Sequence, residues 1–149
     1  MQTEWAFRPS RPEDASWMVE LRAVVLKPDL ARLGRFDPAR VRQRFLAGFV
    51  PEHTRVIVVD GQDVGLVTVR PEPDARWIEH FYLHPAHQGR GIGRSVLTDL
   101  LGSGGDDDRP FRLNVLQGSA ARRLYERHGF VLEHEDPVDV FMRADPPVR

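Results

Sequence analysis

Partway along this chain the hydrophobic residues change their spacing, and that change limits what it can fold into. Trp17, Met18, Leu21, Val24 and Val25 recur three and four apart, the repeat of one helix face. Val41, Phe45 and Phe49 are also four apart, and Asp37-Pro38 ahead of them reads as an N-cap and first helical residue. From Thr54 onward the pattern becomes β-branched. Thr54 to Val59 and Val64 to Arg70, joined by Asp60-Gly61-Gln62-Asp63, predict a hairpin. Trp77 to His84 reads as a further strand ended by Pro85.

The remaining segments follow the same logic. A short strand is expected over Glu4 to Arg8. The first helix is expected from about Pro12 to Leu26, with Glu13 and Asp14 at its positive end and Pro28 near its finish. Ile92, Val96, Leu97, Leu100 and Leu101 line one helix face. Gly102 to Asp108 reads as a loop, and its aspartates as a solvated connection rather than a converging metal site. Phe111 to Leu116 is a strand. Ser119 caps a helix running to about His128, where Gly129 stops it. Phe130 to Glu135 and Val138 to Arg143 form a last strand pair, and Ala144 to Arg149 a frayed tail. The order is strand, two helices, three strands, helix, strand, helix, two strands. It predicts an α/β (α+β) domain over the whole chain, with a mixed sheet of six to seven strands and helices on both faces. It lacks the strict alternation of a dinucleotide-binding fold.

Composition removes several functional classes. The 149 residues carry a formal net charge of −1, without the basic excess of a general nucleic-acid binder. There is no cysteine, so disulfides, thiolate metal sites and cysteine nucleophiles are excluded. No apolar run approaches the ~20 residues of a membrane span. Met1 to Phe7 includes Glu4 and lacks a basic-then-apolar leader pattern, so a cytoplasmic location is expected.

The segment Gln88-Gly89-Arg90-Gly91-Ile92-Gly93-Arg94 lies between a predicted strand and a predicted helix. A helix start offers free N–H groups and partial positive charge. Glycines let those groups approach a phosphate closely, and Arg90 and Arg94 can add charge-assisted bonds. The turn lacks the lysine of a P-loop, and its spacing is not that of the dinucleotide fingerprint. It matches a third pattern, Gln/Arg-x-x-Gly-x-Gly/Ala, in full. A tight strand-to-helix turn with no ligand remains the alternative.

Ile78-Glu79-His80-Phe81-Tyr82-Leu83-His84-Pro85 before that turn, and Ala121-Arg122-Arg123-Leu124-Tyr125-Glu126-Arg127-His128-Gly129-Phe130 after it, resemble the GNAT family of N-acetyltransferases. The resemblance is strong over about residues 54 to 143 and looser over the first two helices. It implies a splayed sheet whose fourth and fifth strands part, with the pantetheine arm of acetyl-CoA between them against Phe81, Tyr82 and Leu83. It puts the pyrophosphate over Gln88, Gly89, Arg90, Gly91, Ile92, Gly93 and Arg94. Where the family often has asparagine, this chain has Ser119. Asn114 on the fifth strand is a further polar candidate for the donor site.

The resemblance also implies direct attack of a neutral amine on the thioester. Tyr125 matches the family tyrosine and would protonate the leaving thiolate, and the Leu83 N–H would stabilise the oxyanion. Glu79 is the first candidate for base, acting through water or by attracting a cationic amine. His80, on the opposite face of a regular strand, is the other. His84 and His87 flank the turn, but no third ligand is evident and no metal is assigned. The acceptor, an amine of a small molecule or peptide, should meet the first two helices. Trp17, Arg22, Arg32, Arg35 and Phe36 are candidates to line its site, and arginines there would suit a carboxylate-bearing amine. No nucleic-acid or membrane partner is expected, and dimers are common in the family. A non-catalytic acyl-CoA-binding domain of the same fold is the alternative function.

Overall fold

The computed structural model describes residues 3–146. The hairpin expected around Asp60-Gly61 forms, one strand in from an edge of the sheet. Asp60 and Gly61 both take positive φ, 52° and 74°, as a two-residue type I′ turn requires. They join β2 (Thr54–Val59) to β3 (Gln62–Pro71). Outside them lie β1 (Ala6–Pro9) and β4 (Arg76–Leu83), followed by β5 (Phe111–Leu116), β6 (Val131–Glu135) and β7 (Asp139–Ala144). The seven-stranded order is β1-β2-β3-β4-β5-β7-β6. The β4–β5 pair is parallel and the other pairs are antiparallel. A parallel neighbour needs a crossover, which α3 (Ile92–Gly102) supplies.

The alternation of each strand divides the core between two faces. Val56, Leu66 and Tyr82 meet Met18 and Leu21 of α1 (Ala15–Arg32) and Phe45 of α2 (Pro38–Gly48). Their neighbours Ile57 and Val67 turn the other way, to Ile92, Val96 and Leu97 of α3 and Tyr125 of α4 (Ala121–Arg127). Helices α1 and α2 therefore cover one face of the sheet, and α3 and α4 the other.

Several boundaries differ from those expected. The first helix does not finish near Pro28. A 3-10 turn over Pro12–Asp14 precedes α1, which runs through Pro28 to Arg32. The stop is Gly34, at φ 71°. The N–H groups of Gly34 and Arg35 return to the carbonyls of Ala31 and Leu30 at 3.0 and 2.7 Å, a Schellman closure. Proline removes one N–H bond, and this closure retains the turn beyond it. At the other end Asp14 is buried, and Arg8, the Trp17 indole and the Arg11 N–H all donate to it.

The first strand lies at Ala6–Pro9 rather than from Glu4; as an edge strand it tolerates its proline. Ala144 is not tail but the buried end of β7. Residues 147–149 of the expected frayed tail lie outside the described residues, as do residues 1 and 2 of the leader reading. Asp107 is held by Arg109 at 2.7 Å and lies 3.8 Å from Arg76, so this loop is stapled by arginine. Among the described residues no helix is long and apolar enough to cross a membrane.

Candidate active site

Thr68 pairs with His80 but Val69 pairs with Ile78, so Glu79 is an extra residue in β4. A bulge of this kind bends its strand. Strands β4 and β5 pair only at Arg76↔Phe111 and Trp77↔Arg112, before the bulge, and part beyond it. The N–H of His84 bonds to the Val64 carbonyl at 2.8 Å. Antiparallel alternation then ties Tyr82 to β3 and turns the backbone groups of Phe81 and Leu83 toward the open gap. The Leu83 carbonyl accepts from Nε2 of Gln88 at 3.0 Å. Gly65 faces Leu83 across the β3–β4 ladder. A Cβ there would lie 2.4 Å from the Tyr82 carbonyl oxygen, so only glycine allows this close approach.

The glycine turn abuts the end of β4. Gly89 and Gly91 take φ 75° and 81°, the left-handed region where a Cβ is strained. Among the described residues, the N–H groups from Gly89 to Arg94 have no protein acceptor. These free donors stand at the head of an 11-residue helix, where its dipole adds positive potential. Arg90 and Arg94 are exposed beside them. The Ile92 side chain is in the core, so only its backbone belongs to the turn surface.

A cleft of about 650 Å³ occupies the gap. It brings together six of the candidate catalytic and donor-site residues: Glu79, Phe81, Tyr82, Asn114, Ser119 and Tyr125. Leu83 and the glycine turn adjoin the cleft without lining it. Tyr125 is buried, its ring edge-on to Phe130 at 5.5 Å. Burial pushes its hydroxyl well above the usual phenol range, and the Tyr82 ring nearby adds to this. Ser119 spends its Oγ on the Ala121 N–H at 3.2 Å; the N-cap position of α4 is Ala120, one residue later than expected. Asn114 donates to Asp139 at 2.9 Å. Glu79 lies 3.5 Å from Arg70, which also pairs with Glu72.

His80 is placed quite differently from Glu79. It packs against Phe45 with ring centroids 4.8 Å apart, and its Nδ1 is 3.0 Å from the Tyr82 hydroxyl. Nε of Arg22 donates to that hydroxyl at 3.2 Å, and its other end donates to the Val41 carbonyl. Tyr82 thus accepts from Arg22 and shares a second hydrogen bond with His80. Burial, with the Arg22 charge second, lowers the His80 pKa to about 3, so the ring is neutral and weakly basic. Tyr82 itself is raised by burial.

On the far wall, Arg22 and Arg35 line the cleft as expected. Trp17, Arg32 and Phe36 do not. The Trp17 indole is bonded to Asp14, Arg32 donates to Asp29 and the Gln117 carbonyl, and Phe36 lies under Lys27. Sequence reasoning missed Arg40 and Arg44, which line the same wall. Both lie within one helical turn of Val41, but so do solvated charges on any amphipathic helix, so the sequence did not single them out. His84 Nδ1 accepts from the Ala86 N–H at 3.1 Å, and among the described residues no three side chains are grouped to hold a metal.

Residues 51–132 match the family model described as Acetyltransferase (GNAT) domain. The L-methionine sulfoximine/L-methionine sulfone acetyltransferase of Salmonella typhimurium is 36% identical over a stretch covering 40% of this chain and 37% of that protein. The match thus spans well under half of that relative's length. Among solved structures, the PaiA N-acetyltransferase of Thermoplasma acidophilum in complex with coenzyme A is similar at TM-score 0.74 and 18% identity, covering 95% of this chain and 99% of that one. An acetyltransferase of Thermus thermophilus gives TM-score 0.74 at 19% identity, with 97% and 99% covered. At these identities the likeness is one of fold.

Proposed function

The chain belongs to the GNAT acetyltransferase family, and from that premise we propose that it transfers an acetyl group from acetyl-CoA to a primary amine of a small molecule or peptide. The observation that carries this reading is a run of free N–H groups heading α3, next to a strand whose backbone turns to an open gap. An anionic, amide-bearing arm satisfies both. The similar structure from Thermoplasma acidophilum, described with coenzyme A, supports the same donor, and the Salmonella relative's named substrates support a small-molecule acceptor.

In this reading the N–H groups from Gly89 to Arg94 hold the pyrophosphate, with Arg90 and Arg94 adding charge and Gln88 bracing the turn through Leu83. Phe81 presents its backbone groups to the pantetheine amides and Leu83 its N–H to the thioester, while Asn114 and Ser119 bound the opposite wall. Tyr82 belongs to the acceptor side, since its backbone is engaged by β3. Acetyl-CoA supplies an activated acyl group. The amine nitrogen forms a bond to the acyl carbon as the carbon–sulfur bond breaks. Glu79, directly or through water, takes up the proton the amine loses. The Leu83 N–H stabilises charge developing on the thioester oxygen, and Tyr125 gives its proton to the leaving sulfur. His80, neutral and half-buried, holds Tyr82 in place.

Thermal unfolding with acetyl-CoA, CoA, ATP and NAD added separately tests the donor. Occupancy at 100 times Kd is expected to add about 2.7 kcal/mol, raising Tm by roughly 5–10 °C, with the CoA species alone. Release of CoA on adding mixed amines tests the transfer. No shift with millimolar CoA would sink the donor assignment, and a shift without any CoA release would favour a non-catalytic acyl-CoA-binding domain.

A further inference from the structure

The donor groups just described lie at the α3 side of the sheet, which leaves the wall made by α1 and α2 for the acceptor. On α2, Asp37, Arg40, Val41 and Arg44 line the cleft; three- and four-residue spacing puts them on one helix face. The carboxylates there are already engaged. Asp29 pairs with Arg32, Asp37 caps α2 through the Arg40 N–H, Asp136 accepts from the N–H groups of Val138 and Asp139, and Asp139 accepts from Asn114. Among the described residues, the Arg40 and Arg44 guanidinium groups have no hydrogen-bond or ion-pair partner. Arg22 beneath them is held by a hydroxyl and a carbonyl, with no carboxylate. Two free guanidinium groups on a concave wall suit a carboxylate, which they can grip through several N–H donors.

The rest of the wall specifies more. Val25, Leu26 and Leu30 of α1 line the same cleft and offer an aliphatic surface. Across it Glu79 projects from the bulge, sharing Arg70 with Glu72, and gives a cationic amine an acidic partner. Building on the acetyl-transfer reading, we propose that the acceptor is a free amino acid with an aliphatic side chain, its carboxylate held by Arg40 and Arg44 and its amine directed toward Glu79. A diamine would instead bring a second ammonium against uncompensated arginines, at a repulsive cost.

The experiment compares leucine, leucinamide and putrescine as acceptors, by CoA release and by the Tm of the CoA-bound protein. Arg40 and Arg44 are exposed, so Arg40→Gln and Arg44→Gln are expected to leave the fold intact. Leucine should be used at least about tenfold better than leucinamide, and the double variant should raise the KM for leucine about 10- to 100-fold. The KM for acetyl-CoA should not change, and leucine should lose its advantage over leucinamide. In the binding arm, leucine should raise the Tm of the CoA-bound wild type and leucinamide should not. Equal use of leucinamide or putrescine, an unchanged KM for leucine in the double variant, or no leucine-induced shift on the CoA-bound protein would overturn the assignment while leaving acetyl transfer standing. Absence of any CoA-induced shift would remove the acetyl-transfer reading itself, and this one with it.

Discussion

Burial gives Tyr125 a hydroxyl that keeps its proton at every ordinary working pH. In the proposed reaction the same apolar surroundings would raise the proton affinity of a thiolate formed beside it. Tyr125→Phe is therefore expected to lower kcat by about 10²-fold or more with the KM for acetyl-CoA nearly unchanged; a variant with the parental kcat would end the acid role. His80 makes a prediction about stability. Its folded pKa, about 3, lies below the unfolded value of about 6.5. Between those values the unfolded chain binds the extra proton. Stability is thus full above about pH 6.5 and falls as the pH drops toward 3, by up to about 1.4 kcal/mol per pH unit. Phe45, Tyr82 and Arg22 surround the ring; only the Tyr82 hydroxyl could accept from it, and no carboxylate is there to offset a second charge beside Arg22. His80→Gln should flatten the stability curve between about pH 4.5 and 6.5, as read by urea unfolding. A variant that keeps the parental slope there would show that another group sets the acid limb.

At the scale of elements, α1 and the glycine turn show which local signals prevail. Pro28 is a helix breaker by local chemistry, yet α1 continues to Arg32 because the Gly34 closure and the Leu30 wall hold its last turn. Pro28 is exposed, so Pro28→Ala restores an N–H at no packing cost. It is expected to stabilise the protein by about 1–2 kcal/mol, the helical penalty of proline less its benefit in the unfolded chain; a lower urea midpoint would contradict this. In the turn, Gly91 and Gly93 should behave differently. Gly91 sits at φ 81°, so Gly91→Ala should cost about 1–2 kcal/mol and weaken CoA binding. A Cβ on Gly93 would make ordinary contacts, at 3.6 Å to Leu124 and 3.7 Å to Leu83, so Gly93→Ala should retain both stability and affinity. Equal losses in the two variants would refute the distinction.

For the molecule as a whole, the cleft works only if its two sides keep their distance. Arg32 ties them, donating from the end of α1 to the Gln117 carbonyl beside α4. Gly118 at that junction takes φ 78°, and a Cβ there would come within 2.8 Å of the guanidinium, so the strap is tightly seated. A hydrogen bond of this kind contributes about 0.5–1.5 kcal/mol. Arg32→Ala should accordingly raise the KM for the amine by about 2- to 10-fold, leave the KM for acetyl-CoA unchanged, and speed amide exchange over the last turn of α1. Slower use of both substrates together would instead point to a general loss of structure.

Much of this arrangement was legible from residues alone because local chemistry demanded it. Positive φ at Asp60-Gly61, the helix start at Asp37-Pro38, the closure at Gly129 and the glycines between Gln88 and Arg94 are short-range requirements that few residue types meet. Together with the order of strands and helices, they set the fold and the two motifs that mark its family. The other features are not local. The bulge at Glu79 depends on how β3 pairs with β4, and a one-residue offset decides which side chains reach the cleft. The same offset puts Ile78 in the core beside α3 but His80 under Phe45, although residues two apart in a regular strand share a face. Arg40 and Arg44 carry no mark in sequence that separates them from solvated helix charges. Only the packing of α2 beside the parted strands turned them into a wall, because a side chain's surroundings are set by whatever the rest of the chain brings against it.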